Sequence, residues 1–216
     1  MTRKIIKSRN YLYIFELEIE TEDMNRFALQ AEQRRNAILK TLGIAENIEF
    51  KKAIYTVSLC QNQSYVFGRS NRREIRIYIS KDGNDKNDFF ETYSNMLIHE
   101  ETHFILFNIW PEISAFFSEG IAEYVCWKVK GRPIPIEFCK AKDYLGALSL
   151  EKVLNSKRWV HLCKMYGVPV YVLGCMLVDY VVADITIKQW LDEIYVKRNT
   201  SKLEAVLALI KRSSYL

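Results

Sequence analysis

The character of the chain changes at residues 81–88. Before this polar segment apolar residues alternate as they do in β-strands, and after it they form longer stretches with helical spacing. A run of strands followed by a run of helices is typical of an α+β fold. We therefore expect an N-terminal α/β subdomain at residues 1–88 and a mainly helical subdomain at residues 89–216.

The first half predicts a small mixed sheet that carries one helix. Its clearest strand is residues 74–80, where Ile75, Ile77 and Ile79 share one face. The remaining strands are predicted at residues 11–20 and 48–59. The helix is predicted at residues 24–42, because apolar side chains recur at helical spacing and Gly43 follows as a stop signal.

The second half is predicted to be mainly helical. The first covers residues 89–110 and ends at Pro111, which cannot continue a helix. The second covers residues 114–130. Three further helices are predicted, with an interruption near Asn199, at residues 150–165, 170–183 and 187–210.

Composition excludes several classes of protein. The net charge of +5 is spread along the chain without a dense basic stripe, so no nucleic-acid partner is expected. Five cysteines without a Cys-x-x-Cys pair indicate buried thiols in a reducing compartment. The apolar stretch at residues 11–15 is too short for an export signal, and no stretch is long enough to span a bilayer. We expect a soluble, cytoplasmic protein without membrane association.

The strongest functional signal is the segment His99-Glu100-Glu101-Thr102-His103. The chain has three histidines, and its composition gives roughly 0.003 chance matches to His-Glu-x-x-His. Residues four apart project from one helix face, so two imidazoles can bind one cation. Burying these groups on an apolar helix without a metal would be costly. We predict one Zn²⁺ per chain, with Glu100 as the general base for a water whose pKa the metal lowers.

A third ligand is available on the next predicted helix. Glu119 and Glu123 lie four residues apart, and the segment that contains them begins about a dozen residues after His103. Glu119 can complete the metal site. Glu123, one turn further along, can accept the free ring N–H of a ligand histidine and so fix its tautomer.

These residues resemble the gluzincin metallopeptidases, the clan of thermolysin and the zinc aminopeptidases. The resemblance rests on His-Glu-x-x-His followed by Ser118-Glu119-Gly120-x-Ala122-Glu123-Tyr124, and at motif level it covers residues 89–183. It implies hydrolysis of peptide bonds in a peptide or protein substrate. The Gly-x-Met-Glu-Asn segment with which zinc aminopeptidases grip a free α-amine is absent from the sequence, so we expect an endopeptidase.

The resemblance suggests two further sets of site residues. Tyr171 begins a Tyr-x-x-Gly segment similar to that of zinc aminopeptidases, whose tyrosine stabilises the oxyanion. Tyr166 is the second candidate for this role. For both tyrosines the alternative is ordinary packing in the core. Gluzincins also lay substrate along an edge strand. Residues 74–79 are the candidate strand, with Ile75 and Ile77 as substrate contacts, although a central strand would have the same pattern.

Three other functions remain open at this stage, and nucleic-acid binding by a basic surface comes last among them. A zinc-containing binding or regulatory protein of the same fold would keep the metal and turn over no substrate. A different zinc hydrolase, similar to the deformylases, would use Cys60 or Cys126 as a ligand, although neither lies in the glycine-rich strand that such a site requires.

Overall fold

The structure is a computed structural model, and it describes residues 3–61, 65–69, 73–80, 94–132, 149–154 and 170–213. A small mixed sheet with one helix is followed by a mostly helical region, which confirms the predicted α+β fold. The chain forms two compact units. The first comprises residues 1–40 and 45–108, and the second comprises residues 41–44 and 109–216. The predicted boundary between residues 88 and 89 lies outside the described residues and stays a prediction.

The sheet of the first unit has five described strands: β1 Lys4–Lys7, β2 Tyr11–Glu16, β3 Ala53–Cys60, β4 Tyr65–Arg69 and β5 Glu74–Ser80. Their order across the sheet is β1-β2-β3-β5-β4. Strands β2, β3 and β5 run parallel, and β1 and β4 pair with them in the antiparallel direction at the two ends. The alternation in the sequence found β2, β3 and β5, and missed the two end strands.

The prediction that residues 74–79 form an edge strand is wrong. Strand β5 is hydrogen-bonded to β3 on one side and to β4 on the other, so its backbone groups have no free edge. Ile75 and Ile77 are buried, with 2% and 0% of their surface exposed, and they contribute to the core rather than to a substrate surface. An alternating strand buried on one face has the same sequence pattern in the middle of a sheet as at its edge. Among the described strands, the one at the edge on this side is β4.

One face of the sheet carries an aromatic core. Tyr13, Phe15 and Tyr55 project from this face and contact the ring of Phe27, with ring centroids 5.5–6.2 Å apart. Phe27 belongs to α1, which spans Thr21–Leu42. These contacts pack α1 against the sheet, as the prediction of one helix on the sheet requires.

Helix α2, Ser94–Ile109, contains the His-Glu-x-x-His segment. Its predicted start at residue 89 lies outside the described residues. The remaining helices are α3 Ala115–Val129, α4 Leu150–Leu154, α5 Val170–Val181, α6 Ile187–Leu191 and α7 Ser201–Ser213. The predicted interruption near Asn199 is confirmed, because a single π-helical turn, Asp192–Val196, and a short link separate α6 from α7.

Helix α3 begins where the sequence predicts. The side chain of Ser114 caps it by accepting a hydrogen bond of 3.3 Å from the backbone N–H of Phe117. The turn that precedes the cap is held by the π-helical turn: the indole N–H of Trp110 donates to Asp192, and the N–H of Ser114 donates to the hydroxyl of Tyr195 at 2.9 Å. Side chains far along the chain therefore fix the point at which α3 starts.

The second unit is organised around close packing of α3 against α5. Gly120 and Gly174 lie directly against each other: a Cβ placed on Gly174 would be 2.6 Å from the Cα of Gly120 and 2.9 Å from the carbonyl oxygen of Phe116. These contacts are with backbone atoms, which cannot rotate away. The two glycines therefore set how closely the two helices approach.

Cys126 and Cys175 are buried, and Cys60 is partly buried. Across the described ranges, every helix is too short or too polar to cross a bilayer.

We predict that Gly120→Ala destabilises the protein by about 1–3 kcal/mol, because the added methyl group meets the backbone of Gly174. At an open position in a helix the same substitution would stabilise by about 1 kcal/mol. Urea unfolding of the variant and the wild type measures the difference. A rise in the free energy of unfolding would contradict the close contact of α3 with α5.

Candidate metal centre

The rotation of α2 is fixed by a buried carboxylate. Glu101 is fully buried, and its side chain accepts hydrogen bonds from the hydroxyls of Tyr11 on β2 and Tyr55 on β3, the latter at 3.1 Å. The Nε of Arg34 on α1 lies 3.5 Å from the same carboxylate, an ion-pair distance. Burial raises the pKa of the Glu101 carboxyl well above its usual range. One side chain thus connects α2 to two strands and to α1.

This anchoring determines where the histidines point. Residues two apart on an α-helix are separated by roughly 200° around the axis. His99 and His103 each lie two residues from Glu101, one before it and one after it, so a Glu101 that faces the sheet directs both imidazoles to the opposite side of α2. Both histidines are partly buried, and their Nε2 atoms lie 3.0 Å apart with the ring planes at 83°.

Three side chains form a group that could hold a metal ion. A ligand atom from each of His99, His103 and Glu119 lies within 4.8 Å of the other two. All three side chains have intermediate burial, which leaves them reachable by an ion. In the part of the chain that the structure describes, no other group of three histidine, cysteine or acidic side chains meets this distance criterion.

Glu100 lies beside the edge strand. It follows the first histidine on α2, and its side chain is half-buried. A Cβ placed on Gly68 of β4 would come within 2.9 Å of the carboxyl carbon of Glu100. The carboxylate proposed as general base is therefore in contact with the backbone of β4.

Among the other predicted site residues, Glu123 has a described hydrogen-bond partner on its own helix. Glu123 Oε1 accepts a hydrogen bond of 2.9 Å from the indole N–H of Trp127, one turn along α3. A bond from a histidine to Glu123 stays a prediction. Tyr171 lies in the first turn of α5, and its side chain is outside the described residues, as is Tyr166. The proposed oxyanion role of either tyrosine also stays a prediction.

Sequence reasoning missed the residues that support the site. Nothing in the motif requires a particular residue at position 101, so the pattern does not single out Glu101. Alternation places Tyr11 and Tyr55 in strands without indicating their partner, and it predicts no strand at the position of β4 and Gly68. One signal was available: Glu101, two residues from each histidine, is a carboxylate on the apolar side of a helix, where a charged group needs a partner.

Comparisons with known proteins find similarity at the level of the solved structures. No family model matches the chain, and no curated protein matches it. Among solved structures, the fold is similar to that of an aminopeptidase N family protein from Idiomarina loihiensis, with a TM-score of 0.50 and 11% sequence identity. The match covers 94% of this chain and 42% of that chain, so this chain corresponds to less than half of its length. At this identity the likeness concerns the fold alone.

We predict that Glu101→Ala destabilises the metal-free protein by about 3–5 kcal/mol, because two tyrosine hydroxyls and the Arg34 guanidinium lose their buried partner. Glu101→Gln is the matched control. It keeps the shape of the side chain and one acceptor oxygen, so we expect it to lower the free energy of unfolding less than Glu101→Ala does. Urea unfolding of the two variants tests the difference. If Glu101→Ala unfolds at the same urea concentration as wild type, Glu101 does not hold α2 against the sheet.

Proposed function

We propose that this chain is a zinc-dependent metallopeptidase of the gluzincin type that hydrolyses internal peptide bonds. The observation that supports the proposal most directly is the group of His99, His103 and Glu119, whose ligand atoms converge within 4.8 Å. The general base next to the first histidine and the fold likeness to an aminopeptidase N family protein agree with it.

The donor set fits zinc. Two imidazole nitrogens and one carboxylate oxygen are the protein ligands of many catalytic zinc sites, whereas Ca²⁺ and Mg²⁺ prefer oxygen ligands alone. Two nitrogens at about 2.0–2.1 Å from a tetrahedral ion lie about 3.3 Å from each other. The Nε2 atoms of His99 and His103 are 3.0 Å apart, so a small movement of the two rings accommodates the ion.

Each side chain then has a defined part in the reaction. His99, His103 and Glu119 would hold the ion, which supplies Lewis-acid chemistry by polarising a carbonyl and lowering the pKa of water. Glu100 would accept the proton of the attacking water on its carboxylate and pass it to the nitrogen of the leaving amine. Tyr171 is the proposed donor to the oxyanion.

We propose β4, rather than β5, as the strand that receives the substrate. Strand β4 pairs with β5 on one side, and among the described residues no strand pairs with its other side. Open backbone N–H and C=O groups bind an extended peptide by strand addition. Because Glu100 contacts this strand at Gly68, a peptide added there would run close to the general base.

We predict that purified protein binds one Zn²⁺ per chain, and that His99→Ala and Glu119→Ala each lower zinc affinity by at least 10-fold. Removing a ligand leaves the ion with fewer protein donors than a catalytic site uses. Isothermal titration with ZnCl₂ measures the affinity. Glu204→Ala, an exposed carboxylate on α7, is the control and should bind zinc as wild type does. Unchanged affinity in Glu119→Ala would remove Glu119 from the site.

We predict that Glu100→Gln lowers kcat for an unfolded protein such as casein by about 10²–10⁴-fold, while zinc content stays at one per chain. Gln has nearly the shape of Glu and cannot accept the proton, so the substitution separates catalysis from metal binding. Glu204→Gln is the control on an exposed helix face. Zinc binding by wild type without any cleavage would identify a binding protein instead of a peptidase.

A further inference from the structure

Gly68 has no side chain at a position where the sheet would otherwise direct one toward α2. It lies in the edge strand β4, directly opposite Ile75 of β5. Directly opposed residues place their side chains on the same face of a sheet. Ile75 is buried on the face that also carries Tyr55, whose hydroxyl is bonded to Glu101 of α2. A side chain at position 68 would therefore point into the space beside α2.

The side chain of Glu100 fills that space. A Cβ on Gly68 would lie 3.4 Å from the Cβ of Glu100, 2.9 Å from its carboxyl carbon and closer still to Oε2. Carbon atoms in ordinary contact are about 3.5–4.0 Å apart. A methyl group at position 68 and the carboxylate of Glu100 at its present position therefore exclude each other.

Backbone conformation does not account for this glycine. In the described chain the glycines with positive φ are Gly43 and Gly131, and Gly68 is not among them. Any residue can adopt its extended backbone, and glycine in a strand is less favourable than residues with a side chain. The missing Cβ, rather than a special φ, is what the contact with Glu100 requires.

We propose that Gly68 is a positioning residue for Glu100: the absence of a side chain at this point of β4 lets the general base lie against the edge strand where a peptide would be cleaved. The inference rests on the proposed peptidase function for its catalytic consequence. The clash that a methyl group would create falls on the far end of the Glu100 side chain, which can rotate. The fold therefore tolerates the substitution, and the carboxylate moves.

The test compares wild type with Gly68→Ala. We expect the same melting temperature within about 2 °C and the same zinc content, with kcat for a peptide substrate lowered about 10²-fold and KM changed less than about threefold. A merely structural glycine would lower the melting temperature, and a methyl group that obstructs the peptide would raise KM. Either of those results without a fall in kcat overturns the proposal.

A second variant tests the contact itself. Glu100→Asp shortens the side chain by one methylene and makes room for a methyl group at position 68. In the Glu100→Asp background we therefore expect Gly68→Ala to lower kcat less than about threefold. An equal, additive loss of about 10²-fold in both backgrounds would show that the two residues do not interact and would overturn the proposal.

Crystal structures of wild type and Gly68→Ala separate this inference from the proposed function. We expect the wild-type Glu100 carboxylate against Gly68, and a different rotamer in the variant. A wild-type Glu100 that points away from β4, or a Glu100 rotamer that the substitution leaves unchanged, overturns the inference whether or not the protein cleaves peptides. Absence of peptidase activity in wild type overturns the proposed function, and the two rotamers still decide the contact.

Discussion

The buried carboxylate of Glu101 is the interaction on which the arrangement of the first unit depends. It connects α2 to Tyr11 and Tyr55 of two neighbouring strands and to Arg34 of α1. A charged or polar group in a core is stable only when its partners are in place, so this contact permits one rotation of α2 and disfavours the others. Because the histidines lie two residues on either side of Glu101, that single rotation brings both imidazoles to the opposite side of the helix, at a common point.

Two glycine contacts determine distances that larger side chains would not allow. Gly120 and Gly174 bring the backbones of α3 and α5 into contact, immediately beside Glu119. Gly68 brings the edge strand up to Glu100. Glu119 and Glu100, which lie beside these two contacts, are residues to which the proposed function assigns a role. Small residues thus lie next to the proposed metal ligand and the proposed base.

The sequence predicted what local patterns encode. Periodicity found α1, α2, α3 and the parallel strands, and the spacing of His99, His103 and Glu119 identified three side chains that the fold brings within 4.8 Å. It could not predict the order of strands, because alternation reports which face is buried and not which neighbour pairs with the strand. Residues 65–69 were missed for a related reason: five residues that include a glycine give a weak strand signal, and β4 is defined by its pairing with β5.

The number of ligands separates a catalytic metal site from a structural one. Structural zinc sites are closed by four protein ligands, while catalytic sites use three and keep one position open. The described residues offer three, His99, His103 and Glu119, and the nearest acidic neighbour in sequence, Glu100, contacts the edge strand instead of completing a fourth position. A site built only to stabilise the fold has no need of a carboxylate held against a strand that, among the described residues, pairs on one side only. This combination supports the proposed hydrolysis over a structural role, and the support comes from the chemistry of the residues, since a likeness of 11% identity concerns the fold alone.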